Sequence, residues 1–241
     1  MNTKITLIAL LALGLTASSC TRSVICVKGK GERVTETRTT SLFDEVTLEG
    51  SADIWLIQDP EATEAEIKIT GQPNIIEELQ TEVNGNELLI DFKHCVNYQR
   101  SLEIKIRVED LSRIDVRGSG DIRTLGQFEG TSITADIDGS GDMDLLLDYA
   151  TINVDVDGSG DIELDGETDL LDIDITGSGD VHSFGMESKQ ANIMIAGSGN
   201  VEVNASDVLV VKINGSGDVV YIGSPSMEVD IDGSGEVRQK N

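Results

Sequence analysis

Histidine is nearly missing from this chain, with His94 and His182 the two examples among 241 residues, and no CxxC pair occurs. An ordinary zinc site draws on grouped histidines and cysteines, so that chemistry has too few candidate ligands. A phosphate-binding loop, a GxGxxG fingerprint and a Ser/His/Asp arrangement are also lacking, which leaves nucleotide binding and triad hydrolysis without a motif. Aromatic residues make up 3% of the chain, and Trp55 is the single tryptophan. Sugar platforms usually need exposed rings, and Tyr98, Tyr149 and Tyr221 are among the few on offer. Cations are scarce too: 18 Lys and Arg stand against 44 Asp and Glu, a formal net charge of −26. Such a surface repels phosphates and excludes nucleic acid as a partner. Hydrophobic content of 39% in regular alternation still argues for a folded chain.

The first residues carry an address. Lys4 supplies a short basic region and Ile5 to Leu15 an apolar stretch too short to span a bilayer, before Ala17, Ser18, Ser19 and Cys20. Residues 1–19 therefore read as a signal peptide. Small residues running into a cysteine resemble a bacterial lipobox, although Ala17 stands where leucine is commoner. The resemblance implies cleavage before Cys20 and lipid attachment there, so the membrane becomes a partner through the anchor. Thr21, rather than Asp, favours sorting to the outer membrane, with both the periplasmic and the cell-surface leaflet open. Residues 20–35 would form the lipidated tether. Cys26 and Cys95 remain; an oxidising compartment allows them to pair, and two free thiols is the other reading.

What the chain has in abundance is one tetrapeptide. GSGD begins at Gly118, Gly139, Gly158 and Gly177, GSGN at Gly197, GSGD at Gly215 and GSGE at Gly233, at intervals of 21, 19, 19, 20, 18 and 18 residues. A fixed period of this length marks a stacked repeat. In Ile152-Asn153-Val154-Asp155-Val156-Asp157 the apolar residues fall on even numbers, and Ile162-Glu163-Leu164-Asp165 after the motif keeps that parity. This is strand patterning on both sides of the motif. The parity places Gly158 and Gly160 inward, and Ser159 and Asp161 outward, so GSGD reads as a bent corner in an extended path. Glycine suits the inside of such a corner, and the aspartate can accept hydrogen bonds from nearby amides. A second turn falls at Asp148-Tyr149-Ala150, Gly166-Glu167-Thr168, Gly185-Met186-Glu187, Asn204-Ala205-Ser206 and Gly223-Ser224-Pro225. Two short strands and two bends make one coil. The expected fold is all-β, a right-handed parallel β-helix whose coils stack at about 4.8 Å, with a β-sandwich as the alternative.

Residues 111–241 form the regular array, and residues 36–110 an irregular β part that reads as a cap over one solenoid end. In the latter, Gly50-Ser51-Ala52-Asp53 is a degenerate corner, Pro73-Asn74 with Ile75, Ile76 and Leu79 predicts one short helix, and Asn84-Gly85 a tight hairpin. The opposite end is left open to a partner or to a second copy of the chain. Phe43-Asp44-Glu45-Val46 leading into Gly50-Ser51-Ala52-Asp53-Ile54, the segments Thr81-Glu82-Val83 and Leu88-Leu89-Ile90, the serial corners and the closing Gly223-Ser224-Pro225 resemble the autotransporter-adhesin head domain called the GIN domain. That resemblance, over residues 36–238, implies an exported β-helical domain of a kind common among Bacteroidetes-type lipoproteins, with adhesion as its role. It brings no catalytic residue or cofactor with it, and the membrane barrel of a true autotransporter is lacking.

Stacking the repeats aligns outward acids. One column holds Asp115, Asp136, Asp155 and Asp174, continued by Met194, Lys212 and Asp230; a second holds Asp121, Asp142, Asp161, Asp180, Asn200, Asp218 and Glu236. Neighbouring carboxylates at coil spacing repel by about 0.9 kcal/mol per pair even in water. They should attract cations or raise one another's pKa. Asp136, Asp155, Asp174, Asp142, Asp161 and Asp180 are thus candidate calcium ligands, against the plainer reading of a solvated acidic wall. Three functions fit: a non-enzymatic adhesion or interaction scaffold for a protein or glycan ligand, a polysaccharide-active β-helix enzyme, or a structural protein that assembles by end-to-end stacking into homo-oligomers. For the enzyme, Arg113, Arg117 and Arg123 are the basic candidates, and neutralising adjacent carboxylates is their other role.

Overall fold

A computed structural model describes residues 26–97 and 102–240. The signal peptide, Cys20 and Tyr98 lie outside the described residues. The chain enters through β1 (Val27–Lys28) and β2 (Val34–Thr40), then β3 (Glu45–Gly50) and β4 (Asp53–Gln58) flank the degenerate corner. Next come β5 (Ala65–Gly71), the one-turn helix α1 (Pro73–Ile76), β6 (Leu79–Asn84), β7 (Glu87–Phe92), β8 (Val96–Asn97) and β9 (Glu103–Val108). Regular winding follows in β10 (Arg113–Gly118), β11 (Asp121–Thr124), β12 (Phe128–Gly139), β13 (Met143–Gly158), β14 (Ile162–Gly177), β15 (Val181–Gly197) and β16 (Val201–Gly215). It closes with β17 (Val219–Ile222), β18 (Ser226–Gly233) and β19 (Val237–Gln239).

The fold is the stacked-coil β-solenoid expected from the period, with about 7 turns. Each coil pairs parallel with the next, Gly139 opposite Gly158 and Gly158 opposite Gly177, which a sandwich of antiparallel hairpins would not produce. Two walls result. Wall A carries the strand entering each corner and stacks Leu88, Val46, Ile114, Ala135, Val154, Ile173, Ile193, Val211 and Val229 in one inward column. Wall B carries the strand leaving the corner. Aliphatic side chains from both walls fill the space between them, and most are fully buried.

Corner glycines are required by the stacking distance. Gly158 has φ +140°, a region that side-chain-bearing residues rarely adopt, while Gly160 meets backbone: a Cβ there would lie 2.1 Å from the carbonyl oxygen of Gly141. The second bend differs from the expected turn, because β13 to β16 run through it without a break. Inter-coil hydrogen bonds continue around the bend, and buried hydroxyls help to hold it: Thr168 Oγ1 donates to Leu170 O at 3.0 Å and Ser188 Oγ to Asn204 O at 2.6 Å.

The segment before the regular array has a topology that chain order conceals. β3 pairs with β10 on one side and β7 on the other, and β4 lies between β11 and β9. Residues 45–58 therefore form an internal coil, held between later parts of the chain. Beyond the β7/β9 coil the winding stops. β5 adds antiparallel to β9, β2 antiparallel to β5, and β6 antiparallel to β7, so both walls end in reversed strands. The expected helix is α1, whose Ile75 and Ile76 are buried. The hairpin loop is Gly85-Asn86, one residue later than the Asn84-Gly85 expectation, because Asn84 pairs with Glu87 and Gly85 takes the positive φ of 69°. A disulfide joins Cys26 to Cys95 across the β1/β8 pair.

Candidate interaction surface

The registers place Asp115, Asp136, Asp155 and Asp174 opposite one another on the outer face of wall A, followed by Met194, Lys212 and Asp230. The column is not uniform. Asp115 is buried and accepts from Arg117 Nη2 at 2.7 Å, and Arg113 pairs with Asp136. Arg123 Nη2 reaches Asp121 Oδ2 at 3.1 Å on wall B. All three arginines that a glycan-cleaving site could have used are thus engaged with neighbouring carboxylates. The Asp136 carboxyl is pushed up to about 6 chiefly by burial, against the pull of Arg113 and with repulsion from Asp155 and Asp115 adding to the rise. Asp174 is raised by burial and then by Asp155.

The corner acids do something more specific than solvate a wall. Asp161 N donates to Asp142 Oδ1 at 3.0 Å, Asp180 N to Asp161 Oδ1 at 2.9 Å and Asn200 N to Asp180 Oδ1 at 2.7 Å. Asp218 N continues to Asn200 Oδ1 and Glu236 N to Asp218 Oδ1. Each corner side chain holds the amide of the same position one coil later. The GSGN variant follows from this role, since asparagine offers the same Oδ1 acceptor. Among the described residues no group of three or more His, Cys, Asp or Glu side chains converges as a metal site.

Sequence reasoning missed a trough on wall A. About 420 Å³ lies over the strand backbones, flanked by Asn153, Asp155, Asp172 and Asp174 toward one end and by Met194, Val210 and Lys212 toward the other. Met194 is 47% exposed. The sequence signal was the break in the acidic column, where Met194 and Lys212 replace aspartate. Of the rings named as sugar platforms, Tyr149 is excluded: it is buried, and its hydroxyl donates to Leu111 O at 2.9 Å.

The profile of the family described as "Putative auto-transporter adhesin, head GIN domain" matches residues 42–225. The chain belongs to this family. Solved structures of the same fold include a "putative adhesin" from Bacteroides fragilis, 20% identical with a TM-score of 0.83, covering 89% of this chain and 100% of that one. A "putative lipid binding protein" from Parabacteroides distasonis is 24% identical, with a TM-score of 0.76 and coverage of 90% and 100%. No curated protein matches the chain significantly. At such identity these neighbours share the fold with this chain, and the surface residues of this GIN domain have to be read on their own.

Asp136 makes this GIN domain's stability depend on pH. Its folded pKa lies above the unfolded value of 3.8, so the stabilisation is complete below about 3.8 and lost as pH rises through about 6. Asp136→Asn is expected to raise stability at pH 8 by about 1–2 kcal/mol and to flatten the curve between pH 4 and 7, as read by urea unfolding. Equal destabilisation at pH 5 and pH 8 would show that the Arg113 ion pair dominates instead.

Proposed function

We propose that this GIN-domain chain is a lipid-anchored, non-enzymatic binding head of the bacterial cell envelope, which offers the outer face of wall A to a protein or glycan ligand. The carrying observation is the trough: an exposed methionine, a valine and a lysine beside a carboxylate array, on coils of wall A whose inward residues Val154, Ile173, Ile193 and Val211 are buried. Outward columns of a solenoid can vary without disturbing its interior, so such a face can be shaped for a ligand while the fold is kept. The lipobox at Cys20 supplies the tether, and the adhesin description of the family agrees with an exported role.

Two measurements test the two halves of this reading. Cells expressing the full chain should incorporate an alkyne-labelled fatty acid into it, and Cys20→Ala should abolish the label; label that persists would place the lipid elsewhere. Cells displaying the chain should adhere to immobilised mucin or extracellular-matrix proteins more than cells without it. The Met194→Glu, Lys212→Glu variant should reduce that adhesion about tenfold with unchanged thermal unfolding. Adhesion indifferent to the chain's presence would overturn the binding-head reading.

A further inference from the structure

The two ends of the solenoid are managed differently. At one end, reversed strands extend both walls and the interior is covered, with Ile75 and Ile76 of α1 and Leu79 of β6 buried. At the other, among the described residues, β18 pairs only with β16 and β19 only with β17, which leaves a backbone edge on each wall with no described partner, and here the interior is not covered. Inward positions there are uncovered: Met227, Val229 and Ile231 are 41%, 43% and 38% exposed, although they continue the columns of the buried Leu209, Val211 and Ile213. An unpaired edge beside an apolar strip is a template for another strand.

Charge identifies which strand. On β18 the outward residues are Glu228, Asp230 and Asp232, all acidic; on β19 the outward residue is Arg238, which has no ion-pair partner among the described residues. Because the chain turns through the Gly233–Glu236 corner between them, the two edge strands run in opposite directions on opposite walls. A two-fold axis can bring two such ends together with strands aligned in two ways. With the axis normal to the walls, β18 faces β18 and the three acids meet their own copies, which is repulsive. With the axis parallel to the strands, β18 faces β19, and Arg238 of each copy meets the acidic run of the other. Both arrangements are antiparallel, and both bury the apolar strip. Only the second is complementary in charge.

We propose that the terminal coil is a self-association surface, through which two copies join end to end, β18 of each adding antiparallel to β19 of the other. The interface is isologous and closes both free edges at once, so it yields a dimer and not a filament. It leaves the trough of wall A exposed, and the dimer therefore carries two outward faces and two anchors.

Sedimentation equilibrium of the full chain in density-matched detergent tests this. The expected mass rises with concentration to that of two copies. Arg238→Glu should weaken association about tenfold, and Asp230→Arg alone should weaken it similarly. Combining the two restores opposite charges across the interface, so the double variant should recover association. Val229→Lys, which places a charge in the apolar strip, should leave monomer regardless of register, and matching melting temperatures would show that each variant still folds. A single-copy mass at every concentration overturns the proposal and gives this end to another occupant. Dimers indifferent to Arg238→Glu overturn the crossed pairing.

Discussion

Gly160→Ala is expected to destabilise the solenoid by about 3 kcal/mol or more, while Ser159→Ala beside it stays within about 0.5 kcal/mol. The added methyl group would lie 2.1 Å from Gly141 O and 2.9 Å from Ile137 Cγ2. Neither can retreat, because the carbonyl belongs to the preceding coil, against which this one is stacked, and the isoleucine to the packed interior. Ser159 points outward, and losing its hydroxyl disturbs neither wall. Gly85→Ala separates this clash from backbone preference. Gly85 has φ +69° with nothing within 4 Å of an added Cβ, so its cost should be the conformational one alone, about 1 kcal/mol. Chemical unfolding of the three variants should rank Gly160→Ala well above Gly85→Ala, and Gly85→Ala above Ser159→Ala. A Gly160→Ala stability within 1 kcal/mol of Ser159→Ala would mean that the coils can spread, and the close-stacking account of the motif would be wrong.

Breaking the Cys26–Cys95 disulfide is expected to cost about 4 kcal/mol. The two residues are 69 apart in sequence, and the loop-closure entropy removed from the unfolded chain by a link of that span has this size. The local secondary structure it secures is slight: β1 and β8 pair over two residues each. The loop it closes contains β2 to β7, including the internal coil of residues 45–58 and the reversed strands over the end. Reductant, or Cys26→Ser with Cys95→Ser, should lower the unfolding midpoint. Amide exchange should rise first in β1, β2 and β8, and last in β13 to β15, whose coils stack on both sides. An unfolding midpoint unchanged by reductant would show that the link adds nothing to the stability of this end.

The acidic columns were readable because the period is nearly constant: once the corners align, every position between them aligns as well. Asp136 over Asp155 over Asp174 follows from counting. Counting could not reveal that Asp115 is buried against Arg117, that Asp136 titrates near 6, or that Met194 and Lys212 flank a trough. Those depend on how far each side chain sinks between its neighbours, and alternation marks a position only as inward or outward. Tyr149 illustrates the limit. In sequence it sits in an apparent turn; in the fold its ring is turned inward and its hydroxyl capped by Leu111 O.

From the sequence alone came the strand-by-strand alternation, the corner at every GSGD, the parallel stacking of coils and the excess of outward carboxylates. These are local or strictly periodic properties, set by side-chain polarity and by the few residues that tolerate a tight corner. Tertiary structure alone decided that residues 45–58 lie between β7/β9 and β10/β11, that one end finishes in reversed strands over a covered interior, and that the other presents two edges of opposite charge over an uncovered one. Those features join residues such as Val46 and Ile114, 68 positions apart, outside any repeat. No local pattern specifies such a pairing; it follows from which apolar column is still uncovered when the rest of the chain has packed.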